Sequence, residues 1–287
     1  MPNGILIIDK PQGWTSMDVC AKLRGILHER RIGHGGTLDP MATGVLPVFV
    51  GSATKAVEFA EGGQKEYIAA LQLGLVTNTD DTTGEVLRRQ SVSVSAEALQ
   101  GILPAFTGEL QQIPPMFSAI KIGGKKLYEL ARAGKEVERR PRSVTIYEIE
   151  LLQQLSPDSF SLRILCSKGT YIRSLCRDMG EALGCGGCMS ALRRTMAAGF
   201  TLKEAVTLEQ VEAGAFSLLP TDALFAADPA YTLSTQRQER LCRNGNPVPA
   251  AGLAPGRYRL YSGEGEFLCL SRWEDGELRS IKNFFGS

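Results

Sequence analysis

Eight consecutive residues, Gly33-His34-Gly35-Gly36-Thr37-Leu38-Asp39-Pro40, hold three glycines and one proline, too many for a helix interior or a regular strand. Any fold of this chain must carry the segment as a shaped loop. Glycines let the backbone approach a ligand closely. Pro40 disfavours helical geometry at Asp39 and fixes the chain just after it. The loop therefore presents one carboxylate on a constrained backbone, which suits nucleophilic or proton-transfer chemistry. An Asp-Pro pair by itself is equally compatible with an Asx-turn or a helix cap. Met41, two positions after Asp39, excludes the aspartyl-phosphate pattern. The segment also lacks the Lys-Ser/Thr of a P-loop and the full spacing of a dinucleotide fingerprint.

Regular structure must lie on either side of this loop. Residues 4–9 form an apolar run closed by Lys10-Pro11-Gln12-Gly13, a strand followed by a turn. Ser16 is placed to cap a helix whose apolar face holds Val19, Leu23, Ile26 and Leu27. Residues 46–50 read as a buried strand, Ser52 as the cap of a helix ending at Gly62-Gly63, and residues 67–74 as the next strand. A polar, acidic loop spans 77–85, and Ser95 is set to cap a helix reaching Leu103. Residues 111–142 contain Pro114-Pro115 and Gly123-Gly124 and lack continuous apolar periodicity. They read as a long excursion, a feature that is uncommon in compact domains and often functional. Residues 144–155 and 160–166 pattern as paired strands, and Thr170 as the cap of a helix to Leu183, stopped by Gly184. Pro220 and Asp228-Pro229 mark a hinge before a tail in which residues 257–262, 266–273 and 277–285 read as three short strands.

At 287 residues the chain exceeds the usual single domain of roughly 100–200 residues, so two domains, or one with an appendage, are expected. No apolar run approaches the roughly 18 residues of a membrane helix, and the first ten residues do not form a secretory signal. Seven cysteines, an odd number without framework spacing, read as reduced thiols in a cytoplasmic protein. The formal net charge is only +1, but charge is unevenly distributed. Between residues 121 and 142 eight basic side chains (Lys121, Lys125, Lys126, Arg132, Lys135, Arg139, Arg140, Arg142) face three acids, Glu129, Glu136 and Glu138. Such a stripe can hold a phosphate backbone while the remaining surface stays neutral. Metal chemistry is not expected: His28 and His34 are the two histidines, and Cys185-Gly186-Gly187-Cys188 is a single half-site without a second pair at zinc-finger spacing.

The blocks Lys10-Pro11-Gln12-Gly13-Trp14-Thr15-Ser16, the glycine-rich loop continued through Met41-Ala42-Thr43-Gly44-Val45-Leu46-Pro47, Lys65-Glu66-Tyr67, Ser167-Lys168-Gly169-Thr170-Tyr171-Ile172-Arg173-Ser174-Leu175 and Leu192-Arg193-Arg194 resemble, in order, the TruB family of tRNA pseudouridine synthases. Asn244-Gly245-Asn246-Pro247-Val248 and the tail are similar to that family's C-terminal PUA-like domain. The resemblance implies an α+β fold. Its mixed, largely antiparallel sheet would belong to a pseudouridine synthase catalytic domain over residues 1–228, with residues 111–142 as a basic thumb-like insertion. A small β-rich PUA-like RNA-binding domain would occupy 229–287.

The resemblance also implies roles. The reaction breaks the bond from ribose C1′ to base N1 and rejoins C1′ to C5 of a T-loop uridine, after the base has left its stack. Asp39 would act as nucleophile or as ion-pair stabiliser; attack at C1′, attack at base C6 and stabilisation of a glycal-like intermediate all remain open. Arg173 would pair with Asp39, since a neighbouring cation favours the ionised carboxylate. Tyr67 would stack on the flipped uracil, His34 would hold the opened RNA loop, Tyr171 and Leu192 would line the pocket, and Lys10 would help bind substrate. Read one at a time, these residues are an ion pair, a core tyrosine, a turn histidine and core packing; their joint order moves them to a site. The expected partner is the tRNA T-arm, with no membrane, metal, cofactor or obligatory protein partner, and a monomeric chain. A non-catalytic tRNA-binding or folding factor and a guide-RNA-dependent synthase are the competing readings.

Overall fold

The computed structural model describes residues 2–118, 120–135 and 137–285, with the backbone alone at Lys121 and Ile122. The Lys121 side chain and Glu136, both counted in the basic stripe, lie outside the described residues. The chain opens with β1 (Gly4–Lys10), buried along nearly its whole length. Helix α1 (Ser16–Leu27) follows, burying Val19, Cys20 and Leu23. Its cap is Thr15 and not Ser16: the Thr15 hydroxyl accepts from Asp18 N and the Asp18 carboxylate accepts from Thr15 N, a capping box. Ser16 lies one residue further in, where its hydroxyl accepts from Leu38 N at 2.9 Å and donates to Leu38 O at 3.3 Å. It ties the helix to the glycine-rich loop.

That loop joins β2 (Ile32–His34) to β3 (Thr43–Val50), which pair antiparallel. Ser52 caps no helix. Residues 51–56 form a 3-10 turn without a side-chain cap, and the Ser52 hydroxyl donates instead to Asn3 Oδ1 at 2.7 Å. The short α2 (Val57–Glu61) continues the turn. After β4 (Lys65–Leu73), a hairpin of β5 (Leu75–Thr77) and β6 (Val86–Arg89) carries the acidic loop. Helix α3 (Ala96–Ile102) is capped by Ser95 as expected. The excursion leaves β7 (Gly108–Gln112), forms a small hairpin of β8 (Lys121–Ile122) and β9 (Lys125–Lys126) and one short helix, α4 (Leu127–Arg132), and returns at β10 (Arg142–Ser156). β10 pairs with β11 (Ser159–Cys166). Helix α5 (Ile172–Ala182) has Tyr171 at its N-cap without a side-chain bond. Thr170 lies one residue too early to cap it, and donates to Ser167 O at 3.0 Å. β12 (Gly187–Ala197), β13 (Phe200–Thr201) and α6 (Leu208–Glu212) complete the main body.

Its sheet runs in the order β1-β3-β12-β4-β11-β10-β7, with β2 on β3 and β13 on β12. β12 meets β3 in parallel, and every other pairing in this sheet is antiparallel. The expected mixed, largely antiparallel α+β sheet is the one found. Gly44 sits where three strands meet, opposite Lys10 on one side and Arg194 on the other. Its φ is +101°, and a Cβ there would lie 2.2 Å from Arg194 O, so only glycine permits the junction. The outer edge of β1 is covered by the returning chain, which accepts from Asp9 N at Val206 O and from Ile5 N at Leu219 O and so leaves no free strand edge there.

The tail holds the three expected strands, β16 (Gly256–Tyr261), β17 (Phe267–Glu274) and β18 (Glu277–Asn283), after β14 (Ala230–Thr232), α7 (Gln236–Arg243) and β15 (Val248–Pro249). The five strands order as β14-β16-β17-β18-β15. β14 and β15 are too short to show an apolar period. This module does not stand apart from the body. Phe267, Leu270 and Phe284 join Phe225, Ile5, Ile7 and Phe49 in one apolar cluster, with ring centroids 5.7 Å apart for Phe225–Phe284 and 5.3 Å for Phe59–Phe225.

Candidate active site

Asp39 is held by what surrounds its backbone. Leu38 is bonded to Ser16, Pro40 O accepts from Gly13 N at 2.7 Å, and Asp39 O accepts from Ala42 N at 3.0 Å. Lys10 Nζ, fully buried, donates to Pro11 O at 2.9 Å, Trp14 O at 2.6 Å and Pro40 O at 3.3 Å. It lies behind the loop and braces it. Burial lowers the Lys10 ammonium from its ordinary 10.5 to about 8, against the pull of the Asp39 charge.

Arg173, in the first turn of α5, reaches Asp39 with two donors: Nε to Oδ2 at 2.9 Å and Nη2 to Oδ1 at 3.3 Å. Its side chain is 6% exposed while that of Asp39 is 36% exposed, so the cation is fixed beneath a carboxylate that remains partly open to solvent. The same guanidinium donates to Thr79 O at 3.0 Å and Phe117 O at 2.8 Å, linking the acidic loop and the excursion to the site. A second carboxylate, Asp81, stands 3.8 Å from Arg173 Nε. It is buried and caged, its Oδ1 accepting from Thr79 Oγ1, Thr83 N and Thr83 Oγ1 at 2.6–2.9 Å. Removing one member of such a buried pair typically costs about 3–5 kcal/mol. One turn further along α5, Arg177 pairs with Asp80 at 2.9 Å; burial raises the Asp80 carboxyl, with Arg177 opposing.

Tyr67 on β4 is 6% exposed and faces Arg194 across the β4–β12 ladder. Arg194 is fully buried; its Nε donates to Val45 O at 2.8 Å and its Nη2 to Gly36 O at 3.1 Å. Burial raises the Tyr67 phenol and the Arg194 guanidinium beside it pulls the other way. Leu192 packs in the same cluster as Tyr67, Leu38 and Ile172. Tyr171 is clamped through its backbone by the Gln112 amide, which accepts from Tyr171 N at 2.7 Å and donates to Tyr171 O at 2.9 Å; burial raises its phenol. His34 closes β2 with Nδ1 buried and without a hydrogen-bond partner among the described residues, and burial lowers its imidazole.

Asp39, Arg173, Tyr67, Tyr171, Leu192 and Lys10 are thus joined by ion pair, hydrogen bonds and packing, whereas His34 lies opposite Val48 on β3 and senses the group only through Arg194. Sequence reasoning gave no role to Arg194, Asp81 or Gln112. For Arg194 a signal existed: an arginine in the middle of an apolar strand is rarely buried without a task. Asp81 and Gln112 sit in polar stretches that show no pattern. Among the described residues no three His, Cys, Asp or Glu side chains converge as a metal site; Cys185 and Cys188 are buried separately in apolar packing or strand.

The N-terminal domain model of the TruB family pseudouridylate synthases matches residues 24–172, and the C-terminal domain model of tRNA pseudouridylate synthase B matches residues 173–223. Both stop short of the five-stranded module. The tRNA pseudouridine synthase B of Alkaliphilus oremlandii (strain OhILAs) is 53% identical over 211 residues, 74% of this chain and 70% of its own. That of Azoarcus sp. (strain BH72) is 44% identical over 282 residues, 96% of this chain and 93% of its own. Among solved structures, a chain of a Cbf5-Nop10-Gar1 complex superposes with a TM-score of 0.74 at 26% identity, over 98% of this chain and 85% of that one. With the glycine-rich loop, Tyr67 and the residues up to Ile172 inside one match and Arg173, Leu192 and Arg194 inside the next, this chain belongs to the TruB family of pseudouridylate synthases.

Proposed function

We propose that the chain isomerises the T-loop uridine of tRNA to pseudouridine, with Asp39 as the nucleophile. The coarser statement, a tRNA pseudouridine synthase and hence an isomerase, rests on family membership and on relatives of that name covering 96% of the chain. The observation that carries the chemistry is the bidentate Arg173–Asp39 pair. A buried cation fixes both oxygens of a carboxylate that remains partly exposed, so the carboxylate is already oriented at the moment of attack. Asp39 takes the sugar at C1′ as the bond to N1 breaks. The free uracil turns, C5 attacks C1′ as the bond from C1′ to the Asp39 oxygen breaks and returns the carboxylate, and the C5 proton leaves. Tyr67 lies against the base, Tyr171 and Leu192 form the pocket wall, and His34 faces the RNA loop from which the base came. Lys10 is a positioning residue acting through Pro40. Residues 111–142 act as a thumb over the RNA, and residues 229–287 as a PUA-like RNA-binding domain. The reaction is an internal rearrangement without net redox change, so it calls for no metal or organic cofactor. The chain acts as a monomer in the cytoplasm.

The test is incubation of the pure protein with a T-arm hairpin carrying tritium at uridine C5. Tritium release and recovery of pseudouridine without added protein or guide RNA support the proposal. Release only with partner proteins or a guide would favour a guide-dependent synthase, and tight binding without release a non-catalytic tRNA-binding factor.

A further inference from the structure

Building on the proposed isomerisation, we propose that Gln112 is a positioning residue for it: by clamping the start of α5, it sets where Arg173 meets Asp39. Gln112 closes β7 and is buried on the same strand face as Leu110, where the alternation of a strand calls for an apolar side chain. A glutamine so placed must spend its amide on partners. Both halves of that amide go to one residue, 59 positions away: Oε1 accepts from Tyr171 N at 2.7 Å, and Nε2 donates to Tyr171 O at 2.9 Å. Tyr171 is the N-cap of α5 and makes no side-chain capping bond, so the glutamine replaces the capping side chain that α5 lacks.

Neighbouring residues extend the clamp. Ser174, fully buried, donates from Oγ to Ile113 O at 3.0 Å, and Arg173 Nη2 donates to Phe117 O at 2.8 Å. Positions 171, 173 and 174 are thus held by 112, 117 and 113. Pro114 and Pro115 lie between these holding points and stiffen the path that joins them. Arg173 is bracketed, with Gln112 on the residue two before it and Ile113 on the residue after. A guanidinium sits at the end of a long stem with several torsions. Its two bonds to Asp39, at 2.9 and 3.3 Å, therefore depend on a fixed starting point in the helix. Gln112 supplies that point from outside the helix.

The excursion begins where β7 ends, which gives Gln112 a competing role as a mere anchor of the RNA grip. An anchor would change RNA affinity and leave the rate at saturating RNA alone; a positioning residue does the reverse.

The test combines three measurements. Tritium release from the T-arm hairpin labelled at uridine C5 is followed in single turnover at saturating RNA. Hairpin affinity is measured beside it. The Nε–H resonance of Arg173, assigned by its loss in Arg173→Lys, reports the bond to Asp39 without any turnover. Gln112→Met keeps the length of the side chain and removes both bonds. It is expected to slow conversion by about ten- to a hundredfold, to leave affinity within about twofold, and to move the Arg173 resonance toward that of an exposed arginine. Gln112→Glu keeps an acceptor for Tyr171 N. While ionised it sets a carboxylate oxygen against Tyr171 O; once protonated it donates to that carbonyl again. The charged groups around Tyr171 are Arg142 from β10, Arg173 from α5 and Asp39 from the loop, so the new carboxyl titrates against two cations, one anion and its own burial. Its rate relative to wild type, a ratio that cancels the titrations the two proteins share, should climb as pH falls, with the Arg173 resonance returning in step. The relative rate of Gln112→Met should stay flat. Gln112→Glu decides the matter if Gln112→Met does not fold. Weaker binding with an unchanged rate at saturation, an Arg173 resonance that stays in place, or a relative rate of Gln112→Glu that ignores pH would overturn the proposal. Failure of both variants to fold would also overturn it, making Gln112 a residue of the fold alone. A wild type that releases no tritium would instead remove the proposed function and leave the Arg173 resonance to decide on Gln112.

Discussion

Two sets of cations divide the molecule. Lys10, Arg173 and Arg194 are buried, and most of their nitrogens are engaged by backbone carbonyls or by Asp39. In the excursion, Lys125, Arg132, Lys135 and Arg140 are exposed, and Lys126 and Arg132 lie 5.3 and 5.5 Å from the centroid of the Tyr128 ring. In the first set Lys10 and Arg194 sit on the nine-stranded sheet and Arg173 on α5; in the second Lys125 and Lys126 sit on a hairpin of two-residue strands, Arg132 on one short helix, and Lys135 and Arg140 on the loop after it. Buried, bonded cations fix geometry and need no reorganisation when charge develops. Exposed cations displace counterions and supply affinity that falls with salt. The proposed function puts chemistry on the sheet side and grip on the excursion, and this contrast is what supports that division.

The largest break in this comparison is expected at its chemical end. Asp39→Asn keeps the shape and most hydrogen bonds of the loop but removes the charge on which its proposed role as nucleophile depends. Single-turnover conversion should fall by at least about a thousandfold, roughly 4 kcal/mol of barrier, with RNA affinity equal or higher. A residual rate above about one tenth, under roughly 1.4 kcal/mol, would remove Asp39 from the nucleophile's role.

Next in size is a change that belongs to neither set. Phe284 carries the tail module onto the body through Phe225. Phe284→Ala should cost about 3 kcal/mol, read as a lower denaturation midpoint, and leave the single-turnover rate at saturating RNA unchanged. A normal midpoint would mean the module does not contribute to the stability of the body.

The division between the two sets was only partly legible in the sequence. Five strands of the main sheet, β1, β3, β4, β10 and β11, followed from apolar patterning, and Asp39 from a loop dense in glycine and proline; β2, which takes in Gly33 and His34 of that segment, and β7, β12 and β13 did not. The N-caps at Thr15 and Tyr171 were misplaced by one residue because Thr15 and Ser16 are both competent caps, and Thr170 is the better capping chemistry but the wrong position. Ser52 looked like a cap because nothing local reveals its bond to Asn3. Arg194 and Asp81 were missed for a different reason. Asp81 acquires its role only when the acidic loop is folded onto Arg173, which no local pattern encodes; for Arg194 the strand arginine was a signal, but its partners appear only after β12 is laid beside β4 and β3.

A smaller effect tests the buried set by its titration. Lys10 ionises near 8 in the folded protein against an ordinary 10.5. Below pH 8 it is charged in both folded and unfolded chains, and its burial opposes folding in full. Between these values the unfolded chain binds more protons than the folded one, so this contribution to stability rises with pH. The gain across the whole interval is at most about 3 kcal/mol and should vanish in Lys10→Met. A variant whose stability follows the wild-type pH curve would show that Lys10 is not desolvated behind the loop.

The assignment of grip to the excursion and chemistry to the sheet is tested most directly by neutralising Lys125, Lys135 and Arg140 together, and measuring salt-dependent RNA binding and single-turnover conversion on the same preparation. The salt slope should fall by roughly 0.7 for each phosphate that the variant no longer neutralises, and the rate at saturating RNA should match wild type. An unchanged slope, or a rate that falls at saturation, would contradict that assignment.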